Sequence, residues 1–426
     1  MGRAVIVGGV RTPFVRAFAE YTQMDTIALG VAAVRGLLQR TGLPYAEVES
    51  IVWGGVILPV SAPNVGREIG LDVGLPRTTE AMTVTRACAS GLQAITLAAA
   101  AIERGEADVV IAGGSDSTSN APVTMPESFV QKAGPVVMSS KSGPRDYFRL
   151  LRQLSRSDLL PRAPKIAERT TGQVMGESAE EMAKRNGITR EAQDDFTVLS
   201  HHRAAAAIQS GRFEDELVPV EPPDGDGVYA DTIVRGATSV EKLAKLRPVF
   251  KEGGTLTAGN SSALTDGAAA VLLMNEEKAH ALGFTPLAAF RSWSYAAVDP
   301  ADQLLIAPAI AMPKALGRAG MLLSDVDLVD IHEAFAAQVL SVLQAMASDS
   351  FCQQRMGLDR AVGTIDPAIL NVHGGSIALG HPFGATGARM VLTMANELAA
   401  TGKETALLGI CAAGGLGAGA VLEAVA

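Results

Sequence analysis

Three residues of this chain set a reactive side chain in a turn of small residues. Cys88 stands in Val84-Thr-Arg-Ala-Cys-Ala-Ser-Gly-Leu-Gln-Ala-Ile95, just ahead of a long apolar helical stretch. His381 stands in Gly374-Gly-Ser-Ile-Ala-Leu-Gly-His-Pro-Phe-Gly-Ala-Thr-Gly387, and Cys411 in Gly409-Ile-Cys-Ala-Ala-Gly-Gly-Leu-Gly417. A lone cysteine at a helix start is more often a packed residue than a nucleophile. Glycine, however, serves where backbone must approach a ligand closely, and three such turns suggest three walls of one site. There the histidine would deprotonate Cys88, and the second thiol would act as acid and base toward a carbon or sulfur leaving group. The helix N-terminus is expected to lower the Cys88 pKa from about 8.5 toward neutrality.

The elements that must position these turns come from an internal repeat. Leu37 to Gly54 aligns without a gap on Ala315 to His332, each reading as helix, turn, acidic step and buried strand. Ser90-Gly-Leu-Gln-Ala-Ile through Ala107-Asp-Val-Val-Ile-Ala likewise matches Thr386-Gly-Ala-Arg-Met-Val through Thr405-Ala-Leu-Leu-Gly. Two similar α/β halves follow, with Gly54 equivalent to His332 and the Cys88 turn equivalent to the turn after His381. Loops at strand ends, where two α/β units meet, are where such folds bind ligands.

Between the halves, residues 119–238 break the pattern. Arg145, Arg149, Arg152 and Arg156 recur at helical spacing opposite Tyr147, Leu150, Leu151 and Leu154. This is an amphipathic basic helix, readable as a cover helix with a solvated face, as a surface for anionic lipid or a partner, or as a clamp for phosphates. Thr189 is expected to cap a second helix of a pair spanning 177–208. The adjacent His201 and His202 point to different helix faces without a Cys or carboxylate cluster, so they are read as solvated or capping residues and no metal site is expected. Gly415-Leu-Gly-Ala-Gly419 precedes a strand and is not a dinucleotide loop.

Length and composition fit this picture. The 426 residues are 48% hydrophobic, with 44 glycines and only 4% aromatics, as in a close-packed α/β protein of two or three domains. The formal charge of −9 argues against nucleic-acid binding. Three cysteines make no disulfide framework, and neither a leader nor a membrane-length apolar run is visible. A cytoplasmic protein is expected.

At these motifs the chain resembles the thiolases. The likeness is carried by Arg11-Thr-Pro-Phe, Cys88-Ala-Ser-Gly91, Ala112-Gly-Gly-Ser-Asp-Ser, Leu246-Arg-Pro-Val-Phe250, Thr257-Ala-Gly-Asn-Ser-Ser262, His332-Glu-Ala-Phe335, Gly380-His-Pro382 and Cys411, in the family's order and over nearly the whole chain. His332, where most thiolases carry asparagine, makes it most similar to the β-subunit of the fatty-acid-oxidation trifunctional complex. The resemblance implies an α/β thiolase-like fold with two βαβ-type halves in αβαβα layers. Its parts would be an N-terminal half at 1–118 and 239–284, an inserted loop domain at 119–238, and a C-terminal half at 285–426.

It further implies an acyl-CoA:acetyl-CoA C-acyltransferase that cleaves 3-ketoacyl-CoA with CoA in β-oxidation. Cys88 would carry the acyl group, His381 would take its proton, and Cys411 would handle the α-carbon proton. The N–H groups of Cys88 and Ala413 would bind one oxyanion, while His381 and His332 bind the enolate oxygen. Met175, Arg235, Ala258, Ser262 and Phe335 would meet coenzyme A, a co-substrate rather than a bound cofactor. A homodimer or dimer of dimers, a hydratase-dehydrogenase α-subunit and peripheral membrane contact through 145–160 are implied partners. A biosynthetic acetoacetyl-CoA thiolase is the alternative. Ketoacyl synthases lack a second catalytic cysteine, and a non-catalytic lipid carrier would not need Cys88, His381 and Cys411 together.

Overall fold

The computed structural model describes residues 2–162, 167–223 and 225–425. Ten strands form its sheet: β1 (Ala4–Arg11), β2 (Val15–Arg16), β3 (Ser50–Gly54), β4 (Glu80–Val84), β5 (Val109–Ser117), β6 (Thr265–Asn275), β7 (Ala288–Ala297), β8 (Leu328–Ile331), β9 (Thr405–Ala412) and β10 (Leu416–Ala424). Their order is β4-β3-β5-β6-β1-β7-β10-β9-β8, with the short β2 beside β6. The central strands are rich in Val, Ile, Leu, Ala and Gly, with few charged residues. Such strands, apolar on both faces, require helices on both sides; β5 and β9 are buried throughout.

The internal repeat reappears as topology. β3 runs parallel to β5, which is antiparallel to β6. β8 in the same way runs parallel to β9, which is antiparallel to β10. The two equivalent helices, Ser90–Glu103 and Phe383–Thr401, share one buried core with strands of both halves. Helices Thr26–Thr41 and Val65–Val73 cover the outer face of the first half. Pro308–Ala319 and Ala336–Met346 cover that of the second. The layers are therefore αβαβα.

The two central helices meet backbone to backbone at their N-termini. A Cβ on Gly91 would lie 2.3 Å from the Gly384 carbonyl oxygen, and one on Gly384 would lie 2.8 Å from that of Gly54. Only glycine permits this approach, and it is what brings the turn before each helix to the same place.

Residues 121–166 form a separate compact unit, whereas 167–238 cluster with the two halves. Within that unit, helix Glu127–Val137 precedes helix Pro144–Gln153, and Asp158 accepts hydrogen bonds from Ser128 and Lys132. The amphipathic helix is shorter than the arginine periodicity predicts. It stops at Gln153, so Arg156 lies in a following 3₁₀ turn rather than on the stripe. Its apolar side is also less covered than expected: Leu150 is buried, but Tyr147, Phe148 and Leu151 are exposed. Elsewhere the expected helix pair is present at Met175–Asn186 and Arg190–Gln209, with the Thr189 hydroxyl accepting from the Ala192 N–H.

Candidate active site

Cys88 sits two residues before the helix Ser90–Glu103, on a tight turn. Ala87 takes the left-handed conformation at φ 46°, which costs a residue with a Cβ on the order of 1 kcal/mol. Ser90 holds it there: its hydroxyl donates to the Ala87 carbonyl at 2.6 Å and accepts from the Arg86 N–H at 2.8 Å.

His381 enters from the second half. Its backbone N–H donates to Thr265 Oγ1 at 3.0 Å, and Asp116, at the end of β5, accepts from the N–H groups of Val56, Ile57 and Gly384. That buried carboxylate thus ties the loop after β3 to the start of the His381 helix. The result is a direct pair, His381 Nε2 3.1 Å from Cys88 Sγ, with His381 Nδ1 2.7 Å from Thr386 Oγ1. When Nδ1–H donates to the threonine, Nε2 is free to accept the thiol proton.

His332 follows β8 at the position equivalent to Gly54. Its ring lies 4.1 Å from that of His381, and its Nδ1 is 2.9 Å from Ser376 Oγ. Glu333 and Asn371 fix this corner. Glu333 accepts from Ser200, Asn371 and the Ile377 N–H, and Asn371 bonds both backbone groups of Ile331. His332 Nε2 is buried without a partner. Cys411, at the end of β9, is also buried, and its thiol is close enough to Cys88 for the two charges to repel. The N–H groups of Ala413 and of Cys88 itself lie near enough to the Cys88 sulfur to favour its thiolate. Thus all five predicted catalytic positions meet at one place.

The electrostatics correct one expectation. Cys88 keeps some solvent exposure, yet burial of its thiol outweighs the two N–H groups and pushes it up to about 12 rather than down toward neutrality. Burial, reinforced by the Arg389 charge, holds His381 down at about 3, and His332 also lies well below the usual imidazole range. Arg389 is itself buried against Asp330 at 3.0 Å. The resting pair is therefore thiol and imidazole, not an ion pair. Alkylation of Cys88 by iodoacetamide should then rise about tenfold per pH unit from pH 6 to 9, following the thiolate fraction. A plateau starting near pH 7 would mean that the ion pair already exists.

A cavity of about 290 Å³ adjoins the His381 loop, lined by Arg235, Ala258 and Ser262, three of the five residues expected to meet coenzyme A. Phe335 and Met175 stand behind it: Phe335 packs edge-on to Phe250, a wall residue, with centroids 5.7 Å apart, and Met175 shares their apolar cluster. Arg16, His201 and Ile377 also line the cavity, and Arg16 and Ile377 carry no sequence signal of their own. His201 is the second correction. It is buried, not solvated, its Nδ1 accepts the Arg235 N–H at 3.1 Å, and burial lowers it to about 4. His202 is exposed and meets the Thr238 carbonyl. A larger hollow of about 930 Å³ between helix Thr26–Thr41 and Val218–Pro223 holds no cysteine or histidine; chemistry, not size, selects the smaller one.

Known proteins match this architecture along its full length. The family described as "Thiolase, N-terminal domain" matches residues 4–277, and "Thiolase, C-terminal domain" matches 284–424. The chain is 44% identical to the 3-ketoacyl-CoA thiolase of Yersinia pestis (strain Pestoides F), over 99% of this chain and 97% of that protein. Among solved structures it is similar to the Bacillus anthracis acetyl-CoA acetyltransferase, with a TM-score of 0.85 and 33% identity, covering 100% of this chain and 99% of that one. The human mitochondrial 3-ketoacyl-CoA thiolase gives a TM-score of 0.83 at 30% identity with the same coverage.

Proposed function

This chain belongs to the thiolase family, and from that premise we propose that it cleaves 3-ketoacyl-CoA with CoA through an acyl-enzyme on Cys88, as a step of fatty-acid β-oxidation. The observation that carries the reading is the 3.1 Å pair of Cys88 Sγ and His381 Nε2. Cys88 Sγ attacks the 3-keto carbon as its proton passes to His381 Nε2, and the N–H groups of Cys88 and Ala413 receive the negative oxygen. The C2–C3 bond then breaks, its electrons form the enolate of acetyl-CoA, and the Cys411 thiol delivers a proton to C2. His332 and His381 face the thioester oxygen of that enolate. Losing one such donor costs about 3 to 4 kcal/mol in a transition state. In the second half-reaction the CoA thiol loses its proton to the Cys411 thiolate, attacks the acyl thioester, and releases acyl-CoA with Cys88 restored.

Arg16 and Arg235 give the cavity two guanidinium groups suited to phosphate or adenine, and coenzyme A enters as a substrate. Thiolysis rates measured across chain lengths, from acetoacetyl-CoA to long 3-ketoacyl-CoA, test the assignment. Turnover of medium or long substrates is expected. Turnover of acetoacetyl-CoA alone would favour the biosynthetic reading, and no release with any of them would refute thiolysis.

Three further proposals concern assembly and location. Among the described residues β4 is a sheet edge, hydrogen-bonded only to β3, and its open row of backbone groups suits pairing with a second copy in a homodimer or dimer of dimers. The 121–166 unit exposes Tyr147, Phe148 and Leu151 beside Arg149 and Arg152, a combination suited to an anionic membrane surface or a hydratase-dehydrogenase subunit. Arg149, Arg152 and Arg156 replaced together by glutamine should weaken salt-sensitive association with anionic vesicles or that subunit while short-substrate thiolysis persists. Unchanged association, or a raised KM for CoA, would sink this idea. Cytoplasmic residence is supported by three free cysteines. Among the described residues no helix is long and apolar enough to cross a membrane.

A further inference from the structure

We propose that Cys88, His332 and His381 together form an inhibitory binding site for a thiophilic divalent cation, best matched by Zn²⁺, which occupies the free enzyme and is excluded once Cys88 carries an acyl group. The sulfur of Cys88 and a ring nitrogen from each histidine lie within 4.8 Å of one another, and among the described residues no other His, Cys or carboxylate group does so in threes. Two features make this more than proximity.

The first is the direction of the free valences. Ser376 and Thr386 occupy the Nδ1 atoms of His332 and His381. Both hydroxyls can accept Nδ1–H, which leaves a lone pair on Nε2 for the metal, and the Ser376 hydroxyl can instead donate to Nδ1, which gives His332 the Nε2–H that the enolate oxygen needs. A hydrogen-bonded second nitrogen is what orients a metal-ligating imidazole. His332 Nε2 is buried and has no partner at all, so a lone pair already stripped of water faces the Cys88 and His381 corner.

The second is the donor set. One thiolate and two imidazoles, with a fourth position left to water, is a three-ligand arrangement typical of open zinc sites. Tetrahedral Zn–S and Zn–N bonds of about 2.3 and 2.0–2.1 Å separate sulfur from nitrogen by about 3.6 Å. The Cys88–His381 pair at 3.1 Å therefore opens by about half an ångström, and the other pairs, within 4.8 Å at rest, come to about 3.3 to 3.6 Å. Imidazole binds a metal in its neutral form, so with two histidines as ligands the metal displaces the thiol proton, which leaves to solvent. Two groups facing the site oppose each other's effect on the ion: Arg389 repels it, while the Cys88 thiolate neutralises one of its charges.

The test uses the full-length protein under a non-thiol, non-chelating reductant, titrated with CoCl₂ and read by visible and near-ultraviolet absorption, and with ZnCl₂ read by competition against a chromophoric chelator. One equivalent of Co²⁺ per chain should give a sulfur-to-metal charge-transfer band and the strong visible bands of a tetrahedral ion. Excess chelator should restore activity to the zinc-treated enzyme. His332→Asn should weaken Zn²⁺ binding by at least the 10- to 100-fold that loss of a mere supporting partner costs. Wild-type protein with Cys88 carboxymethylated should lose the charge-transfer band, which keeps the test open even where His332→Asn does not fold. No bound metal below millimolar concentration, or unchanged affinity in either altered protein, overturns the site. The exclusion of the metal by an acyl group on Cys88 rests on the proposed thiolysis, whereas these readings of metal binding are independent of it.

Discussion

Cys88→Ala should reduce thiolysis by about 10⁴-fold or more, with no acyl adduct detectable on the protein. Effects of that size are seen when a nucleophile is removed from a group of residues acting as a unit. The reason here is geometric. The Ala413 and Cys88 N–H groups both lie beside this sulfur, and His381 Nε2 pairs with it at 3.1 Å. With the sulfur absent, the oxyanion donors and the base have no tetrahedral centre between them. Mass spectrometry after incubation with acyl-CoA provides the check: wild type should carry the acyl group on Cys88. An adduct on Cys352 or Cys411, or retention of activity in the variant, would remove Cys88 from the role. Cys352 is the natural control, because it is fully buried with its thiol against the carbonyls of Ala345 and Met346.

Cys411→Ala should separate the two halves of the chemistry. Acylation of Cys88 needs only His381 and the two N–H donors, so it should persist. Exchange of the α-protons of acetyl-CoA with solvent deuterium should fall by about 10²- to 10⁴-fold, the usual span for a general acid or base. Burial and the nearby Cys88 push the Cys411 thiol well above its ordinary value, which makes it a proton donor to a carbanion and leaves it protonated at rest. Exchange at the wild-type rate in this variant would pass the role to His332 or a water.

The positions of Cys88, His381 and Cys411 were legible in the chain because small-residue turns are rare around reactive side chains, and the internal repeat told which turns share an end of the sheet. What spacing does not encode is who stands behind each group. Ser376 and Thr386 lie inside the quoted glycine runs, yet nothing in the one-dimensional pattern pairs them with His332 and His381 respectively. The Asp116 clamp joins residues 268 apart, a separation no local rule reaches. The pKa of Cys88 was misjudged for a related reason: the helix start is visible in sequence, but the burial that overrides it belongs to the packed second half. His201 failed likewise, since a helix face is solvated or buried only by what packs on it. The arginine stripe ran past its helix because charge periodicity continues through Leu154, where the backbone is already extended.

The glycine contact between the central helices has a mechanical meaning. Main chain rests on main chain where Gly91 and Gly54 meet Gly384, so the spacing of the two helix starts that carry the sulfur and the imidazole is set by hard-core repulsion, which is steep, rather than by side-chain attraction, which is shallow and can be re-tuned. No rotamer change can lengthen or shorten that joint. Substitutions elsewhere in the cleft can reshape what the enzyme admits, while the backbone frame that carries the two side chains stays the same, and an arriving acyl chain has to fit a doorway whose frame does not give.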